Sequence, residues 1–314
     1  MNRKNLSMVV LLLCLIISFS LTASTASAQD MQSDRSSIRV LLVLGNDEEF
    51  GGSENFSYVR GVLNASNPEL GLNLNLTVKS SLASESDLKG FDLVIACVPS
   101  AASIPNATIF GSFVENGNSL FLLSDYNGSG SANSSGISNE ILNESNINGV
   151  SFNSDAISIT NATTDWQMKV YNNNSFAVKV NNSEFLPNTS TRSVFSGVSN
   201  VVTLSCSLNI TSPQELSSVA TGSALSDSGS RDWLLLTDNG VQRSVLCGSA
   251  SMFNNTYLGV ASNQILFKQL VLWLVERFQI PAPNVFPYLV LASSVLSVLG
   301  IAVYLISKRT KTSV

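Results

Sequence analysis

Histidine is absent from all 314 residues, and this excludes more chemistry than any motif present suggests. Triad-type serine and cysteine hydrolases need an imidazole to take the nucleophile's proton. The commonest zinc sites need imidazole ligands as well. Charge is also scarce: 12% of the residues are Asp, Glu, Lys or Arg, and the formal net charge is −5. Without a Lys/Arg cluster there is no basic surface for phosphates, so no nucleic-acid partner is expected. Cysteine is rare. Cys14 lies in a segment read below as removed, which leaves Cys97, Cys206 and Cys247. Three thiols allow at most one internal bridge, so a disulfide framework is not expected. A Cys97–Cys247 or a Cys206–Cys247 bridge stays open for an oxidising compartment.

What the sequence does have is apolar runs at both ends. Residues 1–28 read as a secretory signal peptide, with Arg3 and Lys4, an apolar stretch from Met8 to Phe19, and a small-x-small site at Ala26-Ser27-Ala28. Residues 286–306 (FPYLVLASSVLSVLGIAVYLI) carry no charge and have the length of a bilayer span. Lys308, Arg309 and Lys311 follow, which places residues 307–314 as a cytoplasmic tail by the positive-inside rule. A lipid-anchor signal would end in apolar residues, not KRTKTSV. The expectation is a single-pass type I membrane protein with its bulk, residues 38–279, extracytoplasmic at the cell surface or in a lumen, and a short stiff linker at 280–285. N-x-[ST] sequons at Asn55, Asn64, Asn75, Asn106, Asn127, Asn133, Asn143, Asn161, Asn173, Asn181, Asn188, Asn209 and Asn254 are glycosylation candidates in that topology.

Between the two ends, hydropathy alternates between strand and helix patterns. Arg39–Gly45, Leu72–Lys79, Phe91–Val98 and Ser119–Ser124 read as strands; Ser53–Leu63, Pro105–Asn116 and Ile137–Ile147 read as helices. This alternation predicts an α/β fold, a mostly parallel sheet with helices on both faces. Residues of about 150–230 read as a β-rich insertion. Asp232–Thr237 and Arg243–Cys247, joined through Asp238-Asn239-Gly240, predict a hairpin. A helix capped by Ser262 or Asn263 closes the domain at Phe278.

Three segments, FDLVIACVPSAASIPNATIFGSFVENGNSLFLLSDY, RSVLCGSASMFNNTYLG and SNQILFKQLVLWLVERF, resemble the GIFT domain. That domain is shared by the non-catalytic single-span subunit of eukaryotic oligosaccharyltransferase and an intraflagellar transport protein, and is related to the flavodoxin-like class I glutamine amidotransferase fold. The resemblance implies an interaction domain without a nucleophile. In amidotransferases a nucleophilic Cys sits at a tight strand-to-helix elbow beside a histidine. The strand Ser119–Ser124 is the candidate for that elbow here, so Cys97, on another strand, is read as a small core residue. The oligosaccharyltransferase subunit carries a further β-rich domain before its span; here the closing helix runs almost straight into the apolar segment.

Asp47, Glu48, Glu49 and Glu54 gather after the first strand, and Asp125 after the fourth, all at the carboxyl edge where α/β proteins bind ligands. Their oxygens make them weak candidates for a divalent cation, against a solvated acidic loop and a turn residue. No catalytic residue and no cofactor are expected. The expected function is that of a non-catalytic accessory subunit of an oligosaccharyltransferase-type N-glycosylation complex, partnered by a multi-spanning membrane protein. Ser293, Ser294, Ser297 and Gly300 would allow close helix approach in the span. The alternatives are a cell-surface ligand-binding or transporter-accessory protein, and an enzyme using carboxylates alone.

Overall fold

Leucine- and valine-rich runs separated by polar turns become the strands of one large sheet. A computed structural model describes residues 37–44, 55–64, 72–126, 134–160, 170–187, 192–211 and 218–278. The proposed signal peptide, linker, span and tail lie outside the described residues. Among the described residues no helix is long and apolar enough to cross a membrane.

The strands of the main sheet are β1 (Ile38–Leu44), β2 (Leu74–Lys79), β3 (Leu93–Cys97), β4 (Ser119–Leu123), β8 (Phe185–Pro187), β11 (Ser218–Ser226), β12 (Gly229–Asp238) and β13 (Arg243–Cys247). Their order is β2-β1-β3-β4-β13-β12-β11-β8. The first five neighbours pair in parallel, and the rest are antiparallel. The sheet is therefore mixed, with four parallel and three antiparallel pairings among the described residues. Crossovers through helices impose parallel pairing as far as β13; the Asp238-Asn239-Gly240 turn then reverses the chain. Gly240 holds φ +82°, and Asn239 Oδ1 accepts from the Gln242 N–H at 2.8 Å, as the hairpin reading requires.

The strands' two-residue period sends alternate side chains into two cores. Val40, Leu42, Ile95, Phe121 and Cys247 face helices α1 (Ser57–Leu63) and α4 (Asn263–Glu276). Leu41, Val43, Val94, Leu122 and Leu246 face α2 (Ile109–Glu115) and α3 (Ser134–Glu144). Helices thus cover both faces, as the alternation predicts. α1 and α2 start later than read from sequence. At α2 the reason is visible: Asn106 Oδ1 accepts from the Thr108 N–H at 3.0 Å and its hydroxyl at 2.7 Å, a local turn that competes with helix. α3 starts earlier, at Ser134.

The insertion at 150–230 is divided. β5 (Val150–Phe152) pairs with β10 (Leu208–Ile210), and β6 (Val170–Tyr171), β7 (Asn174–Asn181) and β9 (Asn200–Thr203) form a three-stranded sheet. β8 and β11, expected in the insertion, instead extend the main sheet. Phe185 carries this join, stacking on Phe195 at 4.6 Å and meeting Trp233 edge-on at 6.2 Å.

Two polar groups fix long-range geometry. Arg243 bonds Asp238 at 2.9 Å and the Trp273 carbonyl at 2.6 Å, tying the hairpin to α4. Asn263, fully buried, accepts the Val202 N–H at 2.9 Å, and its amide nitrogen lies 2.9–3.1 Å from the carbonyls of Val202, Met252 and Tyr257. One side chain thereby joins β9, the turn after β13 and the start of α4. Asn263→Ala strands several buried backbone groups, each costing about 1–3 kcal/mol. It should lower stability by about 2–4 kcal/mol, read as a fall in melting temperature; an unchanged melting temperature would contradict this role.

Candidate functional site

Topology brings the ends of β1, β3, β4 and β13 to one carboxyl edge. Asp47, Glu48, Glu49 and Glu54 lie outside the described residues. Asp125 is described and is buried, not a surface turn residue: its Oδ2 accepts from the Ser251 hydroxyl at 2.7 Å. Among the described residues no group of three His, Cys, Asp or Glu side chains is arranged to hold a metal ion.

Part of the edge is covered by the chain itself. Residues 204–208 cross directly over the end of β13. The Cys206 N–H donates to the Gly248 carbonyl at 2.9 Å. A Cβ on Gly248 would lie 2.2 Å from the Cys206 carbonyl oxygen, so only glycine fits there. Surrounding hydroxyls are absorbed by structure. Ser249 Oγ accepts from the N–H groups of Leu204 and Met252, both at 3.2 Å, and Ser124 Oγ lies 3.1 Å from Ser134 Oγ. The Ala250 N–H reaches the Ser124 carbonyl at 2.7 Å.

A turn with positive φ lies after β3, the strand of Cys97, and not after β4, the candidate elbow strand. Neither Ser124 nor Asp125 adopts positive φ; Val98, directly after β3, does, at +46°. This backbone is unusual for a β-branched residue. The Val98 N–H still donates to the Leu123 carbonyl at 2.8 Å, and its side chain is buried in the core. The residue at this turn therefore presents an isopropyl group and no nucleophilic atom.

Cys97, Cys206 and Cys247 are free and buried, so neither bridge left open by the sequence forms. The register aligns Cys97 with Leu123 and Leu123 with Cys247, so two strand spacings, about 9.5 Å, separate the first pair. That exceeds the reach of a disulfide. Cys206 and Cys247 pack into the cores on opposite faces of the sheet. Burial pushes the Cys97 thiol well above its ordinary range, and the nearby Asp125 and Cys247 add to the effect. Burial likewise pushes Cys206 up to about 12 and raises Cys247. None resembles an activated thiolate.

Sequence reasoning missed an aromatic group beside this edge. Tyr126 stacks on Phe176 at 5.5 Å, Tyr171 meets Tyr257 edge-on at 6.3 Å, and the Lys179 ammonium lies 5.7 Å from the Tyr171 ring centroid. Phe176 is 37% exposed. These residues sit singly among Asn and Ser in the sequence, where no periodicity marks them.

Among the described residues the sequon asparagines lie at or near the surface. Asn55, Asn64, Asn75, Asn106, Asn143, Asn173, Asn181 and Asn209 are exposed and Asn254 is half-buried. Asn127, Asn133, Asn161 and Asn188 lie outside the described residues.

No family model and no curated protein matches the chain. Among solved structures it is similar to one described as "mmIFT52 N-terminal domain", with TM-score 0.53 at 16% identity over 75% of this chain and 96% of that one. At this identity the likeness shows the fold alone. Weaker likenesses are to the β-galactosidase from Rahnella sp. R3 (TM-score 0.41, 11% identity, 78% of this chain and 32% of that one) and a ThuA-like protein from Bacteroides uniformis (TM-score 0.40, 12% identity, 75% and 90%). Both are too distant to support a functional inference.

The backbone crossing makes a direct prediction. Gly248→Ala forces two main-chain segments apart and should cost more than about 4 kcal/mol, whereas Gly259→Ala, with open space around it, should change stability by less than about 1 kcal/mol. Comparable melting temperatures for the two variants would show that the crossing is not tight.

Proposed function

We propose that this chain is a non-catalytic domain of the GIFT type on a single-pass membrane anchor. It acts by protein–protein contact as an accessory subunit of an oligosaccharyltransferase-type N-glycosylation complex. The observation that carries the reading is the end of β4, the candidate for the amidotransferase elbow. Ser124 and Asp125 are buried there without positive φ, Ser124 Oγ lies 3.1 Å from Ser134 Oγ, and Asp125 Oδ2 accepts from the Ser251 hydroxyl, so no side chain stands as an activated nucleophile.

Further support comes from several levels. The parallel order β2-β1-β3-β4 is that of flavodoxin-like doubly wound sheets. The similarity to "mmIFT52 N-terminal domain" supports the α/β fold alone, and fold by itself assigns no function. Surface positions of the described sequons suit an extracytoplasmic domain. The apolar segment 286–306 and its basic flank suit a type I anchor.

A second reading, a cell-surface ligand-binding protein, is favoured by the aromatic group. Tyr126, Phe176, Tyr171 and Tyr257 border the edge at which α/β folds bind ligands, and their ring faces could hold an apolar or sugar surface.

Affinity purification of the tagged, detergent-solubilised full chain from its native membrane separates the two. An accessory subunit should bring down a multi-spanning transferase subunit in near-stoichiometric amount, and Tyr171→Ala with Phe176→Ala should leave that recovery unchanged. Purification of the chain without any such subunit would remove the first reading.

A further inference from the structure

The main sheet has a long edge at β2. The Ile38 N–H donates to the Asn73 carbonyl at 2.9 Å, and Ile38 stands opposite Leu74 in register. In a parallel ladder this turns the backbone groups of Asn73, Asn75 and Thr77 inward to β1, and those of Leu74, Leu76 and Val78 outward. The outward row borders a groove of about 620 Å³ between β2 and α1, lined by Ser57, Arg60, Asn64, Asn75, Leu76 and Val78. Leu76 and Val78 are half-buried. Outward backbone groups beside partly wet aliphatic side chains are a template for adding a strand from another molecule.

Natural edges are guarded by a proline, a bulge, a lysine or a covering element. β2 has no proline, and its pairing with β1 runs without a shift from Leu74 to Lys79. Its lysine, Lys79, is engaged with Asp87 at 2.5 Å, where that ammonium and the N–H groups of Ala83 and Ser84 lower the Asp87 pKa to about 2. What the edge does have is two sequons whose asparagines are exposed: Asn64, at the end of the helix on the groove side, begins Asn64-Ala-Ser66, and Asn75, on β2 and alternating to the face opposite Leu76 and Val78, begins Asn75-Leu-Thr77.

We propose that N-linked glycans on Asn64 and Asn75 flank the β2 edge from its two faces, the first from the groove side and the second from the opposite side, preventing edge-to-edge association. The proposal rests on the extracytoplasmic reading above. Sugar hydroxyls can hydrogen-bond the outward N–H and C=O groups but cannot continue a sheet. In the attachment step the side-chain amide nitrogen of Asn75 loses a proton to a base of the host's transferase. It forms a bond to the anomeric carbon of a lipid-phosphate-linked oligosaccharide. The anomeric carbon–oxygen bond breaks, and the lipid phosphate leaves with that electron pair.

The test uses the full chain made in a secreting, N-glycosylating host and extracted in detergent, with glycopeptide mapping for occupancy and light scattering for mass. Asn75 and Asn64 should be mostly occupied and the chain monomeric. Ser66→Ala with Thr77→Ala, which keeps both asparagines but removes both sequons, should shift the chain to dimers or larger species. Adding Leu76→Lys to that pair should return the monomer. So should using Thr77→Ser in place of Thr77→Ala, since serine keeps the sequon at Asn75. Ser175→Ala, which removes the sequon at Asn173, should leave the monomer intact. Bare Asn75 in a chain whose other sequons carry glycan would overturn the proposal and leave the topology standing. So would a monomeric Ser66→Ala/Thr77→Ala chain. Absence of glycan from every sequon would overturn the proposal together with the extracytoplasmic reading.

Discussion

The tightest glycine contact among the described residues is the approach of two backbones at Gly248. The Cys206 carbonyl would touch any side chain there, and the Cys206 N–H already bonds the Gly248 carbonyl. This crossing seats the inserted strands on the end of β13. Asn263 then locks β9 to the start of α4, and Ser249 holds Leu204 beside Met252. Each bond saturates backbone groups that would otherwise be buried without partners, which is why so many small polar residues are found inside an otherwise apolar domain.

The consequence reaches function. Open α/β sheets bind ligands beyond the carboxyl ends of their strands. Here residues 204–208 cover part of that region. Beside it, Val98 keeps a strained turn without a nucleophile, and the three thiols are held by burial in their neutral form. On the function proposed above, such a scaffold acts through its surfaces. Two differ from the rest: the aromatic group beside the partly covered edge, and the β2 edge with its two sequons.

Much of the core was legible in the sequence because hydropathy period reports burial directly. Leu41/Leu42 and Leu122/Leu123 alternate between the two cores as a doubly covered strand must. Asp238-Asn239-Gly240 announced the hairpin through backbone chemistry alone. The extension of the sheet by β8 and β11 was not legible. Ser218–Ser226 is short in apolar residues, and its pairing with β12 contains two register shifts, so its side chains follow no clean period of two.

The site was less readable than the fold. The positive φ at Val98 was not foreseen, because sequence rules place positive φ at Gly or Asn and give no warning of a valine. The two cysteine bridges stayed open because pairing depends on strand order, and β13 lies beside β4, not β3. Asn263 looked like a helix cap and is instead the buried hub of three segments, a role set by residues more than sixty positions away in the case of Val202. The acidic cluster Asp47–Glu49 has no structural counterpart among the described residues.

Coverage of the carboxyl edge is tested most directly by native-state alkylation of the thiols, followed residue by residue by mass spectrometry. Cys97, Cys206 and Cys247 should all react only as fast as the domain unfolds, with rates that rise together in denaturant. Rapid modification of Cys97 alone, without unfolding, would reveal an accessible and activated thiol beside Val98 and contradict a covered, non-catalytic edge.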